Sequence, residues 1–362
     1  QPSATFRAQP SGPRVPNLPA TFRTQGSSSG RHSAKLGQDK QLASATTSTC
    51  PWHASCSVPR AITKARPTYK NSTAMVTKRV HKRQMLLIED EYVTQVIEYT
   101  LAYCMLNYKV DLHAIIVEGN HIHRVDTDVD GVRPDFLRDF HSLVGRQLNR
   151  YYREGDSFFS SKQTNIVDNA DEHDVLQRIV YTMGNPVADG IEREGKNHKG
   201  TRMRWPQPDR IIKRPEGFWR SIEDGGVAPD ELTLRFSRPP GYEGLTDAEL
   251  DQLLEQRTLA YEKEEREQRD AEGKPFRCDV TSEQPDPKSY PRTRHKLFGL
   301  APLIGALVKE QRLAAIRRLR EFRAKHEDAR LRKKAGEEGV VFPHGTFLAL
   351  RRWNVQVEPA PT

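Results

Sequence analysis

Val110-Asp-Leu-His-Ala-Ile-Ile-Val-Glu118-Gly119-Asn120-His121-Ile122-His123 decides the reading of this chain. Val110 to Val117 is rich in β-branched and apolar residues and reads as a strand. Gly119-Asn120 is a turn, and His121 to Thr127 is the returning strand. On a strand, residues two apart share a face, so His121 and His123 point to the same side. They form a ready pair of metal ligands, although a His-x-His on a strand also occurs as plain structure.

Outward from this hairpin, periodicity places the other elements. Met75 to Val80 reads as a strand. Glu91 to Tyr108 is an amphipathic helix with Val93, Val96, Ile97, Leu101, Cys104 and Met105 at helical spacing. Pro134 starts a second helix with Phe136, Leu137, Phe140, Leu143, Val144 and Leu148 on one face. A short strand is expected near Thr164 to Val167. Asn169 and Glu172 have capping-box spacing ahead of a third helix that ends at Pro186. The order β-α-β-β-α-β-α predicts an α+β fold: a ferredoxin-like antiparallel sheet with helices packed on one side.

The third helix gathers Val175, Leu176, Ile179, Val180 and Met183 on one side. Tyr181 projects nearly opposite, on a polar face with Asp174, Gln177, Arg178 and Asn185. Asn185 stands at i+4 from Tyr181, so the two lie on neighbouring turns. An exposed tyrosine and a helix-ending asparagine are the plain alternatives. A divalent metal held by paired histidines beside a tyrosine hydroxyl is equipment for cutting a phosphodiester and keeping the cut end covalently.

Composition agrees with a polyanionic partner. The 362 residues carry a net charge of +9, and 36% are hydrophobic against 29% charged. No apolar run is long enough to span a bilayer and no leader is legible, so the cytoplasm, at the nucleoid, is the expected compartment. Residues 1–74 are rich in Ser, Thr, Pro, Gly and Arg and repeat Ala-Thr-Phe-Arg-x-Gln at Ala4–Gln9 and Ala20–Gln25. They lack apolar periodicity and precede the first methionine, Met75. They are expected to be a disordered or non-native extension, dispensable for folding apart from nonspecific DNA affinity from residues such as Arg7 and Arg14. Cys50 and Cys56 bracket His53 without zinc-finger spacing, and Cys104 reads as core.

Asn120-His121-Ile122-His123 and Tyr181-x-x-x-Asn185-Pro186-Val187 resemble the paired signatures of single-tyrosine HUH transposases, most of all the REP-associated tyrosine transposases. Val76-Thr77-Lys78-Arg79, Leu148-Asn149, Ala188-Asp189-Gly190-Ile191 and Trp205-Pro206 extend the likeness. Phe342-Pro343-His344-Gly345-Thr346-Phe347 resembles a terminal signature of longer members. Glu118 departs from the pattern, where members have an apolar residue, and Phe158-Phe159 replace a tryptophan neighbourhood. The resemblance implies that His121, His123 and Asn185 bind Mg2+ or Mn2+ and that Tyr181 is the nucleophile. It further implies single-stranded, hairpin-forming DNA as partner, a 5′-phosphotyrosine intermediate, and a homodimer as one form of assembly.

DNA contacts are expected from Lys78, Arg79, Arg83, Asn120, Arg178, Arg202, Arg204 and Trp205. The catalytic domain is expected over 75–208. An accessory basic region over 209–362 carries two charged helices, one opened by a capping box at Thr246–Glu249 and one from Pro302 to about Ala335. Gly339 to Val357 reads as a pair of short strands. Two other readings share these features. One is a non-catalytic hairpin-binding regulator descended from a transposase. The other is a rolling-circle initiator or relaxase, for which Tyr151-Tyr152 lack an amide one turn later.

Overall fold

A computed structural model describes residues 64–161, 164–218, 228–291 and 303–361. The repeats and the Cys50–Cys56 segment lie outside the described residues. The chain runs β1 (Ser72–Arg79), α1 (Glu91–Asn107), β2 (Val110–Glu118), β3 (His121–Asp128), α2 (Arg133–Tyr152), β4 (Asn165–Asn169) and α3 (Glu172–Ala188). It continues through β5 (Arg202–Arg204), β6 (Arg210–Lys213), β7 (Glu231–Leu234), α4 (Asp247–Ala271), α5 (Arg277–Val280) and β8 (Ile304–Gly305). The last elements are α6 (Lys309–Lys334), β9 (Val341–Phe342), α7 (Leu348–Trp353) and β10 (Gln356–Val357).

The fold is α+β. A six-stranded sheet has the order β5-β2-β3-β1-β4-β8, antiparallel except for the β4–β8 pair. Its central four strands, β2-β3-β1-β4, keep the ferredoxin-like order that the sequence predicts. The helices do not all lie on one side. α1 and α2 pack with Val76, Ile115, Val117 and Ile122 on one face, whereas α3 and α4 pack with Met75, Ala114 and Val125 on the other. The reason lies in the strands themselves: both faces carry apolar residues, and a sheet apolar on both faces needs cover on both.

β2 meets this demand through an irregularity at His113, where the register against β3 shifts between Leu112 and Ala114. Before the shift Leu112 faces α1 and α2; after it Ile115 and Val117 do. One extra residue in the strand inverts the alternation. His113 is fixed there by Thr127 Oγ1 and the Ser237 carbonyl, each at 2.8 Å.

Three boundaries move from their expected places. β1 begins at Ser72, inside the segment expected to be dispensable, and Ala74 is fully buried. Asp171, rather than Asn169, caps α3, its carboxylate accepting from Asp174 N–H at 2.6 Å. α3 also passes through Pro186 to Ala188. A proline in the last turn forgoes only its own N–H bond, and the Pro186 carbonyl is taken up by Ile191 N–H at 2.7 Å. α4 opens on the expected capping box of Thr246 and Glu249. Ala61–Thr362 group in one compact unit, and β8, from the region after 208, extends the central sheet beside β4.

Inside the sheet, Asp126 binds Arg124 at 2.7 Å and Arg133 at 2.8 Å, all three nearly inaccessible to water. Burial alone would raise the Asp126 carboxyl, yet the two guanidinium groups hold it below its usual range. Arg124 also lies 4.5 Å over the Phe136 ring. Removing the carboxylate strands two buried cations. Asp126→Ala is therefore expected to cost about 3–5 kcal/mol, read as a lower urea midpoint at unchanged slope.

Candidate metal and nucleophile site

The β2–β3 hairpin and the polar side of α3 build one site. Glu118 closes β2, and the two-residue turn brings it directly opposite His121 in the ladder. The pair shares a face, and His121 Nε2 lies 3.4 Å from Glu118 Oε2. His123 follows on the same face, its ring centroid 4.6 Å from that of His121. The polar side of α3 is pressed onto these groups. Asn185, completely buried, donates Nδ2–H to Glu118 Oε2 at 2.6 Å. One turn later, Asp189 places Oδ2 at 4.0 Å from His121 Nε2. Tyr181 stands edge-on to His123 with ring centroids 5.6 Å apart and remains 36% exposed.

The histidines are held in one orientation each. Asn120 Oδ1 lies 2.9 Å from His121 Nδ1, and Thr77 Oγ1 lies 2.8 Å from His123 Nδ1. With Nδ1–H donating in each case, both Nε2 lone pairs are left available, the arrangement by which a second residue orients a metal-binding imidazole. Burial lowers His121 to about 4 and His123 well below its usual range, so both rings are neutral near pH 7. The same burial, reinforced by Asp189, raises Glu118 well above the carboxylate range.

These residues fit a divalent cation. Glu118, His121 and Asp189 each offer a ligand atom, all within 4.8 Å of one another. Glu118 Oε1 and Asn185 Oδ1 are buried oxygens without a hydrogen-bond partner. Buried acceptors left open beside neutral imidazole nitrogens are costly unless something electropositive satisfies them. Oxygen and imidazole donors together suit Mg2+ or Mn2+. Of the ligands the sequence pointed to, His121 lies in this group, Asn185 bonds to Glu118, and His123 stands beside His121 outside the group; Glu118 and Asp189 are added in space. Their signal was present: Glu118 faces His121 across a two-residue turn, and Asp189 is one helical turn beyond Asn185.

Tyr181 is raised to about 12, first by burial and then by Asp189 and Glu118. Its phenol is protonated near neutrality. α4 backs α3, with Tyr261 6.2 Å from Tyr181. Gly184 makes that approach possible, because a Cβ there would sit 2.4 Å from the Tyr261 ring.

The residues expected to touch DNA divide. Arg79 is exposed at the end of β1, opposite His121, and its charge reaches His121, His123 and Tyr181. Arg83 also reaches His121. Lys78 belongs to the opposite face and donates to the Ser160 carbonyl at 2.9 Å. Asn120 orients His121. Arg178 pairs with Asp174 at 3.2 Å on α3. Arg202 donates to the Met183 carbonyl at 2.8 Å and pairs with Glu262, while Arg204 pairs with Asp251 at 2.6 Å and with Glu255. Trp205 is buried under α4. These last three hold α4 to the sheet.

No family model matches the chain, and no curated protein matches it. Among solved structures, it is similar to a REP-associated tyrosine transposase bound to a REP hairpin, at 16% identity and a TM-score of 0.32 over 39% of this chain and 78% of that one. It is also similar to a crystal structure described as a candidate transposase from Deinococcus radiodurans, at 14% identity and a TM-score of 0.24 over 29% of this chain and 85% of that one.

Proposed function

We propose that this protein is a metal-dependent transesterase of single-stranded DNA, of the single-tyrosine transposase type, acting on hairpin-forming strands. One observation carries the reading: Tyr181 stands against His123 while His121, Glu118, Asp189 and the Asn185 amide converge beside it with buried oxygens unsatisfied.

His121, His123, Asn185 and Glu118 would hold Mg2+ or Mn2+, with Asp189 at the rim. A cation bound there supplies charge neutralisation at the scissile phosphate. The chain's own residues supply the rest. Tyr181 Oη attacks phosphorus, the bond from phosphorus to the 3′ oxygen breaks, and the phenol proton ends on that oxygen. The products are a 5′-phosphotyrosine and a free 3′-hydroxyl. Rejoining is the reverse, so the bond energy is conserved and no nucleotide triphosphate is consumed. Arg79, exposed beside the site, draws in the phosphate. Asn120 and Thr77 keep both imidazoles in the tautomer with Nε2 open.

Calorimetric titration with Mn2+ is expected to show a site that His121→Ala or His123→Ala weakens by at least about 100-fold. A labelled single-stranded hairpin should form a covalent adduct with Mn2+ present and none with EDTA. A protein that binds the hairpin but neither Mn2+ nor the strand covalently is the non-catalytic regulator instead.

A further inference from the structure

On the sheet face opposite the histidines, α2, the edge of β4, the lead-in to β1 and the helices α6 and α7 enclose a cavity of about 510 Å³. Nothing in the transesterase reading uses it. Its size lies within the range of small-molecule sites, roughly 300–1,000 Å³. Six cationic side chains line it, Lys64, Arg66, Arg133, Arg138, Arg330 and Arg352, of which Arg133 pairs with Asp126, Arg138 with Asp135 and Asp139, and Arg330 with Glu327; Asp168 is the carboxylate in the lining. Three aromatic residues line it as well, Phe322, Phe347 and Trp353, the last half-exposed. Arg352 is exposed and makes no ion pair among the described residues. Asp168 takes no hydrogen bond from a described side chain, so its carboxylate is available to a ligand N–H.

The terminal Phe342–Phe347 motif builds one wall. Gly345 has φ +90°, and a Cβ there would sit 2.5 Å from the Tyr69 ring. Its carbonyl accepts from Thr68 N–H at 2.9 Å, and His344 stacks on Tyr69 at 5.4 Å. These contacts tie the lead-in of β1 to the end of the chain and hold Phe347 at the cavity.

We propose that this cavity binds a nucleotide, its base against the Trp353 and Phe347 rings and its phosphate on the Arg352 guanidinium. An aromatic face beside unpaired arginine suits a planar base that carries a phosphate, because stacking and charge act on adjoining parts of one ligand. Phosphate alone would leave the rings unused. An uncharged aromatic would leave Arg352 unused. Asp168 gives the base edge an acceptor for its N–H groups.

The test uses the full chain in EDTA, where strand cleavage plays no part. The probes are deoxyguanosine 3′,5′-bisphosphate, inorganic phosphate and a 20-nucleotide strand with one 5-iododeoxyuridine. The bisphosphate is expected to bind, phosphate to compete poorly, and ultraviolet light to link the strand to the segment 347–353. Trp353→Ala should weaken the bisphosphate about tenfold and Trp353→Phe should restore it. Arg352→Glu should weaken both ligands while far-ultraviolet circular dichroism stays unchanged. Binding of the bisphosphate without cross-linking would identify a free mononucleotide as the ligand; both together identify a nucleotide of a strand. The proposal is overturned if phosphate competes as well as the bisphosphate, or if Trp353→Ala leaves binding unaltered. Loss of the Tyr181 adduct alone would leave this result standing, so the two readings fail separately.

Discussion

Tyr181→Phe is expected to eliminate the covalent protein–DNA adduct, with a fall in strand cleavage of on the order of 10³-fold or more. Removing the Tyr181 oxygen leaves no other phenol against His123 among the described residues. Tyr261 is the nearest other phenol, but its ring is 6.2 Å from Tyr181 and its hydroxyl is raised beyond that of Tyr181 by burial and Glu265. Binding of the hairpin should change by less than about threefold. The Tyr181 hydroxyl makes no hydrogen bond among the described residues, so folding should change by no more than about 0.5 kcal/mol. Denaturing gels score the adduct, and filter binding scores affinity. An adduct of parental yield from Tyr181→Phe would show that another residue is the nucleophile.

A chain cut to begin at Met75 is expected to lose about 3–6 kcal/mol of stability, and its melting temperature should drop by roughly 10 °C. The cut removes Ser72, Thr73 and Ala74 from their pairing with Asp128, Thr127 and Asp126 on β3. It deletes the Thr73–Thr127 hydroxyl bond at 2.7 Å and the Ser72 groups that receive the Arg133 guanidinium. It also removes the Arg66 bond to the Thr164 carbonyl and the Thr68 bond to Gly345, both at 2.9 Å. A chain beginning at Lys64 keeps every one of these contacts and serves as the comparison. Equal melting of the Met75 and Lys64 forms would mean that these contacts contribute nothing to stability.

β1 begins ahead of Met75, where apolar periodicity gives no sign of it. Residues 64–71 have little such periodicity. They are ordered by hydrogen bonds and one ring stack to residues more than 90 positions away, such as Thr164 and Gly345. Interactions of that kind leave no periodic trace. The same limit explains Arg202, Arg204 and Trp205. A basic stretch with a tryptophan reads alike whether it meets DNA or the acidic side of α4, and only the fold sets Glu262, Asp251 and Glu255 opposite it.

The sequence by itself determined the strand–helix order, the hairpin, the shared face of His121 and His123, and the separation of Tyr181 from the apolar side of α3. All of these follow from periods of two and 3.6 residues acting within one element. Only the tertiary structure decided what the polar side of α3 meets. In isolation that side reads as solvent-facing, yet Asn185 is buried because Glu118 at the end of β2 meets it, and Asp174 is buried between Arg178 and Gly305. Pairing of two polar surfaces is a property of neither element alone. It is what brings Glu118 to Asn185 and His121, turning an apparent departure from a familiar pattern into a candidate ligand.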